Sequence, residues 1–349
     1  MIGRYLQILS TGPGASVQDR GRPGWQRYGV VNGGAMDRIA FDEGLVLLGN
    51  GPDCAALEVS VSALRAVIRG GPARIALTGA VCDARRNGTA MRWCSSQHVE
   101  TGDELLMRPP SGGAFAYLHV DGGINTAPVL CARATHPRSG IGGLDGRCLR
   151  AGDRLPLVAY RQGPCGQVLP EPDHLSQREI RFLWGPHAGL YSARERKMFE
   201  ATEFRISAQR DRMGARLVSR RPALPPGRGL NGISDAVVRG DIQVAGDGTP
   251  TVLLADHQPT GGYPRIATVI SADFAACAQL PTGSPFRLVQ TDLEHAREAL
   301  ARQREELSRL PEALAPLRRC PSEIGDLLSN QLVGGVASAQ DPETWNGFA

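Results

Sequence analysis

Apolar residues fall in short runs closed by turn residues, and few runs keep a helical period. Tyr5–Leu9, Ala56–Val61, Ala63–Ile68, Arg74–Thr78, Glu104–Met107 and Ala114–Val120 read as strands. Ala114–Val120 alternates clearly and ends in Asp121-Gly122-Gly123, a turn signal. Later in the chain Glu179–Trp184, Glu203–Ser207, Asp241–Ala245, Pro250–Ala255, Ile266–Ile270 and Phe286–Gln290 read the same way. Four helices are predicted. Ala35–Leu48 has an imperfect apolar stripe stopped by Gly49-Asn50-Gly51, and Ser192–Ala201 is short. Ala272–Gln279 has Ser271 as N-cap and Pro281 beyond its end. Asp292–Leu310 opens on Asp292 as N-cap and carries Arg/Glu pairs at helical spacing, most simply a solvated face.

Strand-opening turns recur at Thr101-Gly102-Asp103, Ala151-Gly152-Asp153 and Thr282-Gly283-Ser284. Many strands and few helices disfavour a doubly wound α/β fold. The chain is expected to be mainly β, with two barrel-like domains and a few edge helices. A Pro/Gly-rich stretch at Gly163–Pro172 marks the boundary, giving domains at 1–165 and 173–310 and a C-terminal tail at 311–349. The apolar stretch Leu327–Val336 is expected to dock on the body.

Composition narrows the chemistry. The 349 residues include 43 glycines and 25 prolines, spread along the chain, which fits many turns between short strands. Aromatics make up 5% and the formal charge is +4, so nothing supports nucleic-acid binding. Lys197 is the only lysine among 39 basic residues. No phosphate loop is therefore possible, and Lys197, in Arg-Glu-Arg-Lys-Met, is a poor carrier of biotin or lipoyl. ATP or biotin, if used, is expected from a partner. The eight cysteines form no C-x-x-C pair, and the histidines show no ligand spacing. Neither a metal site, a signal segment nor a membrane helix is predicted, and the expectation is a cytoplasmic protein with buried, reduced thiols.

Four segments gather glycine, charge and amide groups. In Val17–Gly24, followed by Gly33-Gly34-Ala35-Met36-Asp37, two arginines beside glycines suit a carboxylate or phosphate; the alternative is a structural turn pinned by Asp19 and Arg22. The glycine-rich Ser139–Arg147 offers a loop with Arg147 as an anion ligand, or a plain series of turns. In Asp211–Leu217, Arg212 and Arg216 share a face if the segment is helical, or belong to a surface ion-pair cluster. Leu254–Pro264 ends a strand in Asp256-His257-Gln258, then Thr260-Gly261-Gly262-Tyr263. Asp256 can accept an N–H from an amide, lactam or ureido group, or act as a general base, unless the segment is a bare hairpin turn.

These segments, in this order, resemble the family that comprises allophanate hydrolase subunit 2, the 5-oxoprolinase C subunit and the biotin-dependent carboxyltransferase domain of urea carboxylase. The residues carrying the resemblance are Val17–Gly24, Gly34–Asp37, Leu48-Gly49-Asn50, Gly142-Gly143 with Gly146-Arg147, Asp211–Gly214 with Arg216-Leu217, Ile242-Gln243-Val244, and Gln258 with Thr260–Pro264. They extend over roughly Leu6–Leu310. The resemblance implies paired cyclophilin-like β-barrels. It implies one component of an ATP-dependent amide or lactam hydrolase, foremost the C subunit of 5-oxoprolinase, acting with a B-subunit homologue and a LamB/YcsF-like A subunit. The second reading is a carboxyltransferase moving a carboxyl group from carboxybiotin to a urea-like nitrogen. The third is a non-enzymatic partner in a kinase-inhibitor complex. The site it implies has Asp256, Gln258 and Tyr263 as catalytic residues lining one cleft with Arg22 or Arg147. Asp37, Arg212, Arg216, Thr260, Gly261 and Gly262 join those arginines in binding substrate. This chain itself would bind no cofactor. Departures from the family pattern stand at Gly44-Leu45, Ser234-Asp235-Ala236 and Pro259.

Overall fold

The computed structural model describes residues 3–227 and 234–317. Residues 1–315 make one compact unit; of the second, 316–349, only residues 316 and 317 are described, so Leu327–Val336 lies outside the described residues. Mainly β structure is observed, with four α-helices among the described residues: α1 (Arg38–Leu48), α2 (Ala193–Ala201), α3 (Phe274–Gln279) and α4 (Leu293–Arg309).

In the first half two sheets enclose one core. One sheet runs in the order Arg154–Pro156, Tyr5–Thr11, Leu64–Arg69, Glu104–Met107, Ala84–Arg86, Thr89–Ala90. The other sets Ser16–Gln18, Ala56–Val59, Ala116–Val120, Ala73–Gly79, Ser95–Val99 and Gln167–Val168 side by side. Leu6, Ile8 and Ile68 from the first meet Leu57, Ile75 and Leu118 from the second. Helix α1 covers the outer face of the second sheet, burying Ala40, Phe41, Leu45 and Leu48.

The second half is a closed barrel of seven strands: Glu179–Trp184, Arg265–Val269, Asp241–Val244, Pro250–Leu253, Gly214–Val218, Glu203–Arg210 and Pro285–Gln290. Closure is by a parallel pair, Glu179 opposite Arg287, and it leaves no free sheet edge. Period-two alternation sends Ile180, Phe182, Phe204, Ile206, Ala215, Leu217, Phe286 and Leu288 inward. Phe115, Tyr117 and the buried face of α1 belong to the same apolar cluster as the barrel interior, so the two halves share packing.

Several expectations are corrected. Gly214–Val218 is a strand, not a helix, so Arg212 and Arg216 do not share a helical face. Ser271 does not cap α3; a 3-10 turn over Ser271–Asp273 leads into it without a side-chain cap. Ser95–Val99, too polar to be read as a strand, pairs with Ala73–Gly79. Of the thiols, Cys82, Cys94 and Cys277 are buried, whereas Cys131 and Cys165 are exposed; the described cysteines are all free.

Candidate functional site

A tight turn between two barrel strands organises the site. Asp211 closes it: its Oδ1 accepts from the backbone N–H of Met213 at 2.7 Å and of Gly214 at 3.1 Å. The turn projects Arg212 into the space between the halves. Arg212 donates to both carboxylate oxygens of Asp256, Nε to Oδ2 at 2.7 Å and Nη2 to Oδ1 at 2.9 Å. It also pairs with Glu58 of the first half and donates to the Gly34 carbonyl at 2.7 Å. Glu58 is itself held by Tyr117 Oη–H and the Met36 N–H, both at 2.8 Å. Burial opposes the charge on Arg212, yet the two carboxylates outweigh it and hold its pKa well above the usual guanidinium range. Removing one partner of such a buried network costs about 3–5 kcal/mol, because the others stay buried and unpaired.

Arg22 completes the cluster. It is fully buried, donates from Nη2 to the Ala134 carbonyl, and has no partner for Nε or Nη1. A Cβ built on Gly33 would lie 3.4 Å from Arg22 Nη1 and 3.5 Å from Asp256 Oδ1, so the guanidinium and the carboxylate converge there. Burial lowers the pKa of Arg22, against the pull of Asp19 and Asp256. The glycine-rich loop is folded around this side chain. At Gly142, with φ +72, a Cβ would meet the Ala134 carbonyl at 2.0 Å and Arg22 Nη2 at 2.8 Å, so only glycine fits. The loop thus cradles an arginine of its own chain. Asp19 pins its turn by accepting from the backbone N–H groups of Gly21 and Arg133, not through Arg22.

Asp256 and Arg212 line a cleft of about 720 Å³ between the halves. Its walls are apolar, with Val61, Pro109, Phe115 and Pro281, and its polar groups come from both halves. His136 is among them and was missed in the sequence, where no motif marks it. Its Nδ1 accepts from Ser139 N–H at 3.2 Å, while Nε2 is buried without a partner. Burial lowers its pKa, so the ring is neutral near pH 7. Arg138 bridges the cleft to Met213 Sδ at 3.3 Å.

The proposed single cleft is corrected. Gln258 and Tyr263 line a second cavity of about 470 Å³, with Gln243 and Arg216, on the other side of the same turn; Arg210, Asp211 and Met213 face both cavities. The reason is local. The strand stops at Leu253, the chain turns, and Asp256 faces Arg212 while Gln258 Nε2 reaches Gln243 Oε1 at 3.3 Å. Arg216 is tied to Asp247. Two further residues are not brought to the cleft. Arg147 is held by Asp153 through two bonds of 2.8 Å. Asp37 is the buried N-cap of α1, bonded to Ala40 N–H, His174 and Gln279. Thr260 and Gly261 form a short ladder with Asp235–Ala236, and Gly262 follows them, ahead of a bend at Tyr263. The departures also have structural places: Gly44 and Leu45 are buried in α1, Asp235 pairs with Arg265, and the Pro259 carbonyl accepts from Val237 N–H at 3.2 Å.

The chain belongs to the family described as carboxyltransferase domain, subdomains A and B, which matches residues 28–290. Within it, the 5-oxoprolinase C subunit of Escherichia coli (strain K12) is 35% identical over 294 residues, 84% of this chain and 94% of that protein. The Haemophilus influenzae protein of the same name is 31% identical over 302 residues, covering 83% and 93%. The crystal structure of the K. lactis urea amidolyase superposes with a TM-score of 0.79 at 25% identity. That match covers 91% of this chain but only 21% of the amidolyase.

Proposed function

We propose that this chain is the C-type component of an ATP-dependent 5-oxoprolinase, opening the five-membered lactam of 5-oxoproline to glutamate with a B-subunit homologue and a LamB/YcsF-like A subunit. The observation that carries the reading is the 35% identity to a 5-oxoprolinase C subunit over 94% of its length. The chemistry of the cleft supports it. A lactam offers an N–H donor beside a carbonyl acceptor. Asp256, fixed in orientation by Arg212, accepts the N–H. The neutral His136 imidazole, with Nδ1 already accepting from Ser139 N–H, offers Nε2–H as a donor. Arg22, with two unpartnered nitrogens, compensates the negative charge that develops as the ring opens. Gln258, Tyr263 and Arg216 bind the polar end of a second group across the turn. ATP enters through the partner subunits.

Asp256→Asn is the test. In the reconstituted complex it is expected to lower 5-oxoproline turnover at least about tenfold, equivalent to ~1.4 kcal/mol, and also to lower the thermal transition, because it breaks the Arg212 network, while the variant stays folded at the assay temperature. Full activity in that variant would refute the site. A carboxyltransferase acting from carboxybiotin on a urea-like nitrogen is the second reading, favoured by the likeness to the K. lactis amidolyase and by two cavities flanking one turn. Carboxylation of urea with a biotinylated carrier, and no turnover of 5-oxoproline, would select it.

A further inference from the structure

A third cavity, of about 570 Å³, shares no residue with the two described above. It opens between α1, the segment 169–177 and α4. At its α1 wall lies Glu43, only 3% exposed, with Oε2 buried and bonded to nothing. A buried carboxylate oxygen without a donor costs free energy unless something arrives to satisfy it. The same cavity carries Glu171, Asp173 and Glu306, none in an ion pair among the described residues. Its inner cations are already committed, and Arg302 stands at the exposed rim in a loose pair. Arg181 is spent on Asp273 through bonds of 2.9 and 2.6 Å, His174 on Asp37 at 2.7 Å, and Arg302 lies 3.7 Å from Glu298. What the cavity lacks is positive charge.

The kind of cation follows from the rest of the lining. Among the described residues no group of three His, Cys, Asp or Glu side chains converges enough to hold a metal ion. The carboxylates are instead spread around walls that include Ile39, Leu169, Leu307 and Leu310. An apolar stem ending in a charged head matches both features. We propose that this cavity binds an alkylammonium or alkylguanidinium group, with Glu43 as its anionic anchor. The group is supplied by a free amine or by a lysine or arginine side chain of a partner; the chemistry is the same. The site is independent of the 5-oxoprolinase reading.

Glu43 gives the proposal a signature. Burial, then the neighbouring Asp37, pushes its pKa up to about 8, so it is protonated at pH 7 when the cavity holds no cation. The other titratable groups near it are Asp42 on α1, His174 and Glu171 on the covering segment, and Cys94. A bound cation stabilises the carboxylate and expels its proton. Titration calorimetry of the full chain with n-butylguanidinium and n-butylammonium is expected to show 1:1 binding with a Kd below about 1 mM. In buffers of different ionisation heat at pH 7, binding is expected to release close to one proton. Glu43→Gln should weaken binding at least tenfold and abolish the proton release; Glu171→Gln with Glu306→Gln should weaken it about threefold. If Glu43→Gln does not fold, the rim variant decides. Asp256→Asn should bind like the unmodified chain. Tighter binding of the peptide acetyl-Leu-Arg-Leu-amide assigns the site to a partner's side chain, and weaker binding assigns it to a free amine. Absence of binding at about 10 mM, equal binding of n-butanol, unaltered affinity in Glu43→Gln, or loss of binding in Asp256→Asn would overturn the proposal.

Discussion

Asp37 and His174 make one buried pair, with side chains 0% and 10% exposed. Burial alone would raise the pKa of Asp37 and lower that of His174; their mutual charge and the 2.7 Å bond reverse both. A carboxyl lowered by folding contributes stability above its unfolded pKa and loses it as pH falls through the folded value. An imidazole raised by folding contributes fully below its unfolded value of about 6.5 and loses this as pH rises through the folded value. Glu43, raised from 4.5 to about 8, adds a decline of the same sign that begins near pH 4.5 and is complete by about pH 8. The urea midpoint is therefore expected to fall as pH rises from about 4.5, more steeply above about 6.5, and His174→Gln to remove the added steepness. An identical slope in the variant would show that His174 stays neutral. The sequence marks Asp37 as a helix-opening residue beside Gly34, but nothing in it pairs position 37 with 174. The same holds for Arg212, whose partners Glu58 and Asp256 are 154 and 44 positions away.

Elements were legible where burial is one-sided. The alternation in Glu179–Trp184 and Pro285–Gln290 marks barrel strands because one face meets the core and the other water. It fails for Ser95–Val99, where hydroxyls are buried yet satisfied: Ser95 Oγ donates to the Arg92 carbonyl at 2.9 Å, and Ser96 Oγ accepts from Gln167 N–H at 3.0 Å. In α1 the imperfect stripe has a physical cause at Gly44. A Cβ there would stand 2.1 Å from Cδ2 of His119, a fully buried ring whose nitrogens have no partner. Burial holds that ring neutral, its pKa down at about 3. Glycine, a poor helix former, is what lets α1 lie against the sheet. Gly44→Ala is expected to cost about 1–3 kcal/mol by overpacking, measured by denaturant titration. Combined with His119→Ala, the loss should fall short of the sum by about 1 kcal/mol or more. Additive losses would mean that the helix and the ring do not press on each other.

At the scale of the whole molecule, the two halves are locked by polar groups that each half would leave unsatisfied alone. Gln279 of the barrel half accepts from Ala114 and Phe115 N–H and donates to Asp37 and the Phe115 carbonyl. Arg212 crosses the same boundary by donating to Glu58 and to the Gly34 carbonyl. These contacts fix the walls of the main cleft, and their sequence separation is why the cleft could not be read from motifs alone. They also bear on nucleotide binding. A triphosphate needs several uncommitted cations, but Arg212 is neutralised by two carboxylates and Arg216 is tied to Asp247. Lys197, the only lysine, sits exposed on α2. Beside the main cleft Arg22 keeps two unpartnered donors but is fully buried next to Asp256, and the exposed Arg138 of the cleft wall, bonded to Met213 Sδ, pairs with no carboxylate among the described residues. That suits a small anion better than a polyphosphate. The isolated chain is therefore expected to show no ATP binding by calorimetry up to about 1 mM. On the 5-oxoprolinase reading ATP is supplied through another chain, so this chain, mixed with its B-subunit homologue, should co-elute with it as a stable complex in size-exclusion chromatography. Stoichiometric micromolar ATP binding to the chain alone, or separate elution under all salt conditions, would mean that the cleft works without the partners proposed for it.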